Sequence, residues 1–197
     1  MLMKKMFCCV AVVLAANSVY GQSRIYKDAL IYDLRGNVKS CTLYEQNTYF
    51  SDDFEEGAVY EFTADGQILD TDRTYKRDEQ NRIVEISFMA ENPWNGKKYT
   101  QYRKVEYNPN GKICKKSSWT IYEGSSEKES QTSSEYFYDL KGNVIKVINK
   151  SITGDRADQQ CDYEYVSFDA RGNWTERKYV DPMTLGECVE KREIQYY

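Results

Sequence analysis

The chain has 197 residues, with no histidine, only 3 prolines and as many as 18 tyrosines. The absence of histidine excludes Ser-His-Asp and Cys-His catalysis, and every metal site that needs an imidazole ligand. A formal net charge of −4, with both signs interspersed, excludes a nucleic-acid partner, because affinity for nucleic acid depends on neutralising phosphates.

The first 21 residues have the pattern of a signal peptide. Lys4 and Lys5 precede an apolar stretch at 7–16, which is shorter than the roughly 20 residues needed to cross a bilayer. We therefore predict that residues 1–21 are a signal peptide and that the protein is periplasmic or extracellular, including the cell surface. No later stretch is long and apolar, so we expect no membrane span in the mature chain.

Residues 22–197 are predicted to form a single β domain built from a repeated turn. Six segments align, and their fifth positions are separated by 30, 15, 30, 31 and 30 residues. The repeating unit is therefore about fifteen residues, one strand and its turn, with every second turn usually degenerate. The six segments are 32–38, 62–68, 77–83, 107–113, 138–144 and 168–174.

The residue types in these segments are those of a type I turn followed by a left-handed residue. The second position favours a capping side chain, and the aspartates there are Asp33, Asp78, Asp139 and Asp169. The fifth position requires positive φ, which glycine and asparagine tolerate best. The residues there are Gly36, Gly66, Asn81, Gly111, Gly142 and Gly172. The first and seventh residues should then lie opposite each other across a hairpin, as for Tyr32 and Val38.

Runs rich in Tyr, Val, Ile and Thr between the turns predict an all-β fold, an antiparallel meander of about twelve strands in tandem hairpins. Open sheets of more than about ten twisted strands usually curl or split, so we expect a barrel-like or two-layer shell. The shorter interval between Gly66 and Asn81 predicts that 66–81 is a single strand, which would place its two turns at opposite ends of the sheet.

Four cysteines follow the predicted signal peptide: Cys41, Cys114, Cys161 and Cys188. An even number in an exported chain allows two disulfides, in three pairings. The predicted register places Cys161 and Cys188 opposite Val180 on its two neighbouring strands, which is too far apart for a disulfide. We therefore expect no bond between these two, and the remaining pairings stay open.

The Tyr-Asp-x-x-Gly-Asn-Val spacing resembles the YD repeat of Rhs-type bacterial proteins. The copies at 32–38, 138–144 and 168–174 match this repeat closely, and the other three are degraded. In that family the repeats build a β-sheet shell that encloses or displays another component, and they carry no catalytic residues. The resemblance implies a short, stand-alone secreted member.

Aromatic side chains give the one candidate binding surface in the sequence. Tyrosine and tryptophan rings on a sheet can stack on sugars or peptides. The residues assigned to this surface are Trp94, Trp119 and Tyr122. Most other aromatic residues, Trp174 among them, are expected to pack between strands.

No pattern in the chain predicts a catalytic, cofactor-binding or metal-binding site. The turns account for the turn aspartates, and the acidic loop at 52–56 lacks EF-hand spacing. We therefore expect a non-enzymatic binding or scaffold module, without a cofactor, that presents a tyrosine-rich β-surface to a protein or glycan partner at the cell envelope. Two alternatives stay open: a carboxylate-based hydrolase acting on polysaccharide, and a self-associating structural subunit with edge strands at 25–32 and 189–197.

Overall fold

The computed structural model describes residues 28–154 and 157–197, so the predicted signal peptide lies outside the described residues. The protein is all-β, as predicted, with twelve antiparallel strands preceded by a short 3-10 helix, Asp28–Tyr32. The strands are β1 (Val38–Asn47), β2 (Glu55–Glu61), β3 (Thr74–Arg77), β4 (Ile83–Glu91), β5 (Lys98–Tyr107), β6 (Ile113–Tyr122), β7 (Glu129–Tyr138), β8 (Val144–Ser151), β9 (Gln159–Asp162), β10 (Glu164–Phe168), β11 (Trp174–Val180) and β12 (Glu187–Tyr196).

The strands are divided between two sheets. The first sheet has the order β10-β11-β12-β1-β2, and the second has the order β3-β4-β5-β6-β7-β8-β9. The chain passes from one sheet to the other twice, between β2 and β3 and again between β9 and β10. Residues of both sheets line one cavity, so the sheets face each other. Of the two predicted shapes, the two-layer shell is the one observed.

Four of the predicted turn pairs lie opposite each other: Phe62 with Ile68, Tyr107 with Ile113, Tyr138 with Val144, and Phe168 with Trp174. The six left-handed positions all have φ between 62° and 85°. Asp139 and Asp169 each accept a bond from the backbone amide four residues later, at 2.8 and 2.9 Å. Local turn chemistry therefore forms these hairpins.

A β-bulge follows five of the six turns and decides which side chains face the core. After the turn at 107–113, for example, Tyr107 pairs with Ile113 but Glu106 pairs with Lys115, so Cys114 is an extra residue. The first and fourth residues after such a turn therefore point inward together. These inward pairs are Val38 with Cys41, Ile83 with Ile86, Ile113 with Lys116, Val144 with Val147, and Trp174 with Arg177.

The N-terminal residues 28–34, here called the plug, fill the space between the sheets at the end where the turns lie. Ala29 and Leu34 pack in the core cluster that includes Phe62. Ile31 packs in a second cluster around Ile83. The plug therefore joins the two halves of the core.

The first turn segment differs from its prediction because it belongs to the plug. Tyr32 ends the 3-10 helix and packs against both core clusters, while Val38 pairs with Tyr196 instead. Asp33 has a φ of 55°, and its backbone amide donates to the Leu30 carbonyl of the 3-10 helix, whereas the amides of Asp139 and Asp169 donate across their hairpins.

The edge strands expected at the two ends of the domain are also wrong. Residues 28–32, the described part of 25–32, form the 3-10 helix rather than a strand. At the other end, β12 pairs with β1 on one side and β11 on the other, so it is a central strand of its sheet.

The segment 66–81 is not a single strand. Ile68 bridges to Phe62, the chain bends at 70–73, and only β3 pairs with β4. The buried carboxylate of Asp28 accepts bonds from the Ile68 amide at 2.9 Å and the Arg77 guanidinium at 2.8 Å. Because Asp28 thus bridges the turns at 62–68 and 77–83, both turns lie at the same end of the shell. The prediction that these two turns lie at opposite ends is therefore wrong.

All four described cysteines are free thiols, so no disulfide joins Cys161 and Cys188. The register behind that expectation is nevertheless incorrect. Cys188 lies opposite Tyr179 rather than Val180, and Cys161 pairs with Val147 in the other sheet. The predicted register assumed that consecutive strands always pair, but the chain passes from the second sheet to the first between β9 and β10.

Candidate functional site

Tyrosine hydroxyls tie neighbouring turns together at the end of the shell that holds the plug. Tyr107 donates to the Ile83 carbonyl at 2.7 Å, and Tyr138 donates to the Ile113 carbonyl at 2.6 Å. In both cases the tyrosine that opens one turn segment binds the residue that closes the preceding segment. The recurring tyrosine therefore stabilises the stacking of turns as well as its own hairpin.

Arg35 of the first turn segment lies between two other turns. Its guanidinium donates to Asn143 Oδ1 at 2.9 Å, and its backbone amide donates to Asn173 Oδ1 at 2.6 Å. Asn173 returns a bond to the Arg35 carbonyl at 3.0 Å. Sequence reasoning gave these asparagines no role, although the Gly-Asn dipeptide occurs only in the three turn segments that meet here. They fix the plug against the shell.

A cavity of about 440 Å³ lies beside the plug, between the two sheets. The plug, both sheets and the turn at 107–113 all contribute to its wall. Its volume falls in the range of pockets that hold small ligands, about 300 to 1,000 Å³. It is therefore the candidate site of this protein.

Cationic side chains outnumber carboxylates in the wall of this cavity. The cations are Arg35, Lys112, Lys116, Arg177 and Arg192. The carboxylate is Asp33, and just outside the wall Glu190 forms an ion pair with Arg177. Burial raises the pKa of Asp33, although the nearby Arg192 and Arg35 act in the opposite direction. The cavity therefore has a positive potential.

Lys116 forms no ion pair with a carboxylate of the described residues. Its ammonium lies 5.2 Å from the centre of the Tyr136 ring. Burial lowers the pKa of Lys116 to about 8, with smaller contributions from Arg103 and Arg177, although Asp33 acts in the opposite direction. An opposite charge beside an ammonium would raise that pKa again.

Two arginines are held rigidly at the first-sheet side of the cavity. Arg192 donates to the Tyr32 carbonyl at 2.7 Å and lies 3.6 Å over the Trp174 ring. Burial lowers the pKa of Arg192 to about 10. Arg177 lies over the rings of Trp174 and Tyr163, at 4.2 and 3.9 Å. Trp174 thus positions both guanidinium groups.

The structure places Trp119 and Tyr122, two of the three predicted stacking residues, on opposite faces of β6. Trp119 lies between Tyr102, stacked at 5.5 Å, and the Lys128 ammonium at 4.2 Å. Tyr122 is three residues farther along the same strand, so it projects from the opposite face. Trp94 lies in the loop between β4 and β5, where it is 92% exposed. Asn92 of the same loop donates to the Tyr122 hydroxyl at 3.3 Å, so this loop contacts Tyr122, while Trp119 lies on the other face.

A second cavity, of about 290 Å³, is lined by four acidic residues, Glu45, Asp53, Glu55 and Glu190. Glu45 and Glu190 lie opposite each other on β1 and β12, and both line this space. Burial and the neighbouring Glu190 raise the pKa of Glu45, while Glu190 itself forms an ion pair with Arg177. The Arg177–Glu190 ion pair lies between the two cavities.

Within residues 28–154 and 157–197, no group of three or more acidic or cysteine side chains is arranged to hold a metal ion. The same part of the chain contains no helix that is long and apolar enough to cross a membrane. No protein-family model matches the chain, and no curated protein is significantly similar to it. The likeness to the YD repeat therefore depends on the turn segments alone.

Proposed function

We propose that this protein is a secreted, non-enzymatic binding module whose ligand occupies the cavity between the two sheets. The observation that carries this proposal is the type of residue at the fourth position after the turn, which differs between strands. Cys41 and Ile86 occupy this position on two strands and pack in the core clusters, whereas the equivalent residues Lys116 and Arg177 line the cavity. These two inward positions therefore present charged groups to the space between the sheets.

The tyrosine-rich surface expected from the sequence is, in this proposal, an interior one. Tyr60, Tyr136 and Tyr163 line the cavity, so they offer both ring faces and hydroxyl groups to a ligand. A concave site of this kind suits the end of a glycan or peptide chain better than a flat protein surface. A hollow shell also agrees with the resemblance to YD-repeat proteins, and export through residues 1–21 would place the module at the cell envelope.

A cavity-filling variant tests this proposal. Leu43 lines the cavity, so Leu43→Trp should occupy part of it, whereas Leu140→Trp adds the same side chain at a fully exposed turn. Oligosaccharide and peptide fragments are screened by ligand-detected NMR. We expect hits that bind the unmodified protein and Leu140→Trp but not Leu43→Trp. Hits that survive Leu43→Trp and disappear in Trp119→Ala would place binding on the outer face and contradict the proposal.

One observation favours a second candidate, a carboxylate-based hydrolase. Glu45 and Glu190 share a cavity, and a carboxyl with a raised pKa beside a second carboxylate is the arrangement used for glycoside hydrolysis. Reducing-sugar release from a panel of polysaccharides tests this candidate. Activity that is lost in Glu45→Gln but kept in the control Glu79→Gln, which is exposed and does not line this cavity, would support it, and no release from any polysaccharide would oppose it.

A further inference from the structure

We infer that the cavity binds an acidic sugar, whose carboxylate or sulfate group lies among Lys116, Arg177 and Arg192. This inference rests on the proposed function, and it names the chemical class of the ligand. It follows from the charge balance of the cavity wall and from the aromatic groups beside it.

The first support for this inference is the excess of positive charge in the cavity wall. An ammonium that is removed from water without a counter-charge costs several kcal/mol. Lys116 is half-buried and faces the cavity at a position where Ile86 and Val147 are apolar, so core packing gives no reason for a cation there. A bound oxyanion would supply the missing negative charge and a hydrogen-bond acceptor.

The neighbouring arginines are arranged before any ligand arrives. The Tyr32 carbonyl and the Trp174 ring fix Arg192, while Glu190 fixes Arg177. Donors that are already in place lose little conformational entropy on binding. Arg192 keeps its full positive charge in this arrangement because its hydrogen-bond acceptors are neutral carbonyl groups.

The size and lining of the cavity then point to a sugar rather than to a free inorganic ion. A sulfate ion would fill only a small part of about 440 Å³. The tyrosines that line the remainder suit a sugar ring, because they combine an apolar face with a hydroxyl group.

Isothermal titration calorimetry at pH 6.5 tests the inference with three sugars of similar size: glucuronate, glucose 6-sulfate and uncharged glucose. The key variant is Lys116→Met, which removes the charge and nearly keeps the side-chain length. Lys115→Met is the matched control, because Lys115 precedes it on the same strand and does not line the cavity. We expect at least one acidic sugar to bind at least tenfold more tightly than glucose, and to lose at least tenfold in affinity in Lys116→Met but not in Lys115→Met.

The other outcomes separate the inference from the proposed function. If glucose binds as tightly as the acidic sugars and Leu43→Trp abolishes both, the cavity is a binding site but the acidic class is wrong. If inorganic sulfate binds as tightly as glucose 6-sulfate, the sugar ring contributes nothing and the inference is overturned. If acidic sugars bind Lys116→Met and Leu43→Trp as tightly as they bind the unmodified protein, both proposals fail. If none of the three sugars binds, the inference fails, and the fragment screen still decides the proposed function.

Discussion

Lys116 occupies a position where β4 and β8 of the same sheet carry Ile86 and Val147, and its ammonium lies over the Tyr136 ring. At the equivalent position of β11, Arg177 has a counter-charge in Glu190. The difference matters because a buried, paired arginine is an ordinary structural element, whereas a buried, unpaired lysine destabilises the fold. The identity of one residue therefore distinguishes a filled core from a charged cavity.

Removal of the Lys116 charge should stabilise the protein. We expect Lys116→Met to raise the free energy of unfolding at pH 7 by about 1 to 3 kcal/mol, because the cost of the unpaired ammonium disappears. Urea denaturation followed by tryptophan fluorescence measures this change. A loss of stability in Lys116→Met, relative to Lys115→Met, would show that the charge is compensated in the folded state.

The same group should make stability depend on pH. The pKa of Lys116 is lowered from 10.5 to about 8 in the folded protein, so between these values the unfolded chain binds more protons than the folded one. Stability therefore rises with pH across this window, and the advantage of Lys116→Met should shrink between pH 8 and 10. Denaturation curves of both proteins at pH 7, 8, 9 and 10 measure this difference. A constant gap would contradict the lowered pKa.

At the scale of elements, two hairpin loops share one geometry but differ at its most demanding position. In the loops 92–97 and 181–186, an Asn or Asp side chain accepts the backbone amide two residues later, and the fifth residue has positive φ. That residue is Gly96 in one loop and Leu185, with φ of 59°, in the other. Leu185 is 78% exposed, so packing does not offset its backbone strain.

Leu185→Gly should therefore stabilise the protein. The left-handed conformation costs a non-glycine residue about 1 to 2 kcal/mol, and glycine gives back about 0.5 to 1 kcal/mol through the entropy of the unfolded chain. We expect a net gain of about 0.5 to 1 kcal/mol in thermal or urea unfolding, and a comparable loss for the reciprocal change Gly96→Leu. Equal stability of Leu185→Gly and the unmodified protein would show that the side chain compensates for the strain.

The contacts between turns give a second element-scale test. Tyr138→Phe removes the hydroxyl that binds the Ile113 carbonyl at 2.6 Å but keeps the ring in place. We expect a loss of about 1 kcal/mol, the usual net value of a protein hydrogen bond. Tyr49→Phe, in the exposed loop between β1 and β2, removes a solvent-exposed hydroxyl and should change the unfolding free energy little. Equal effects of the two substitutions would rule out a stabilising role for the stacked turns.

At the scale of the whole molecule, the sequence predicts what is local. Turn chemistry suffices for pairs such as Tyr138 with Val144, because the seven residues 138–144 contain all the information that the hairpin needs. It does not suffice for the site. The bulge at Cys114 brings Lys116 to the face of Ile113, whereas strict alternation would place it on the opposite face. The sequence does not predict the plug either, because Tyr32 and Asp33 match the turn pattern but adopt another conformation.

The plug joins the two sheets through Asp28, whose side chain is fully buried. Asp28→Asn should leave Arg77 without its counter-charge and destabilise the protein by about 2 to 4 kcal/mol. Hydrogen exchange should then accelerate in residues 28–34 and in the turn at 62–68, both of which Asp28 holds. Asp72→Asn, at an exposed bend, is the control. Faster exchange spread evenly over both sheets would contradict a local role for Asp28.

A crystal structure of the protein with the tighter-binding of glucuronate and glucose 6-sulfate would test the ligand site most directly. We expect the sugar between the two sheets, with its carboxylate or sulfate oxygens about 3 Å from the Lys116 ammonium. A sugar bound on the outer face against Trp119, or at the loop around Trp94, with none in the cavity, would contradict a binding site between the sheets.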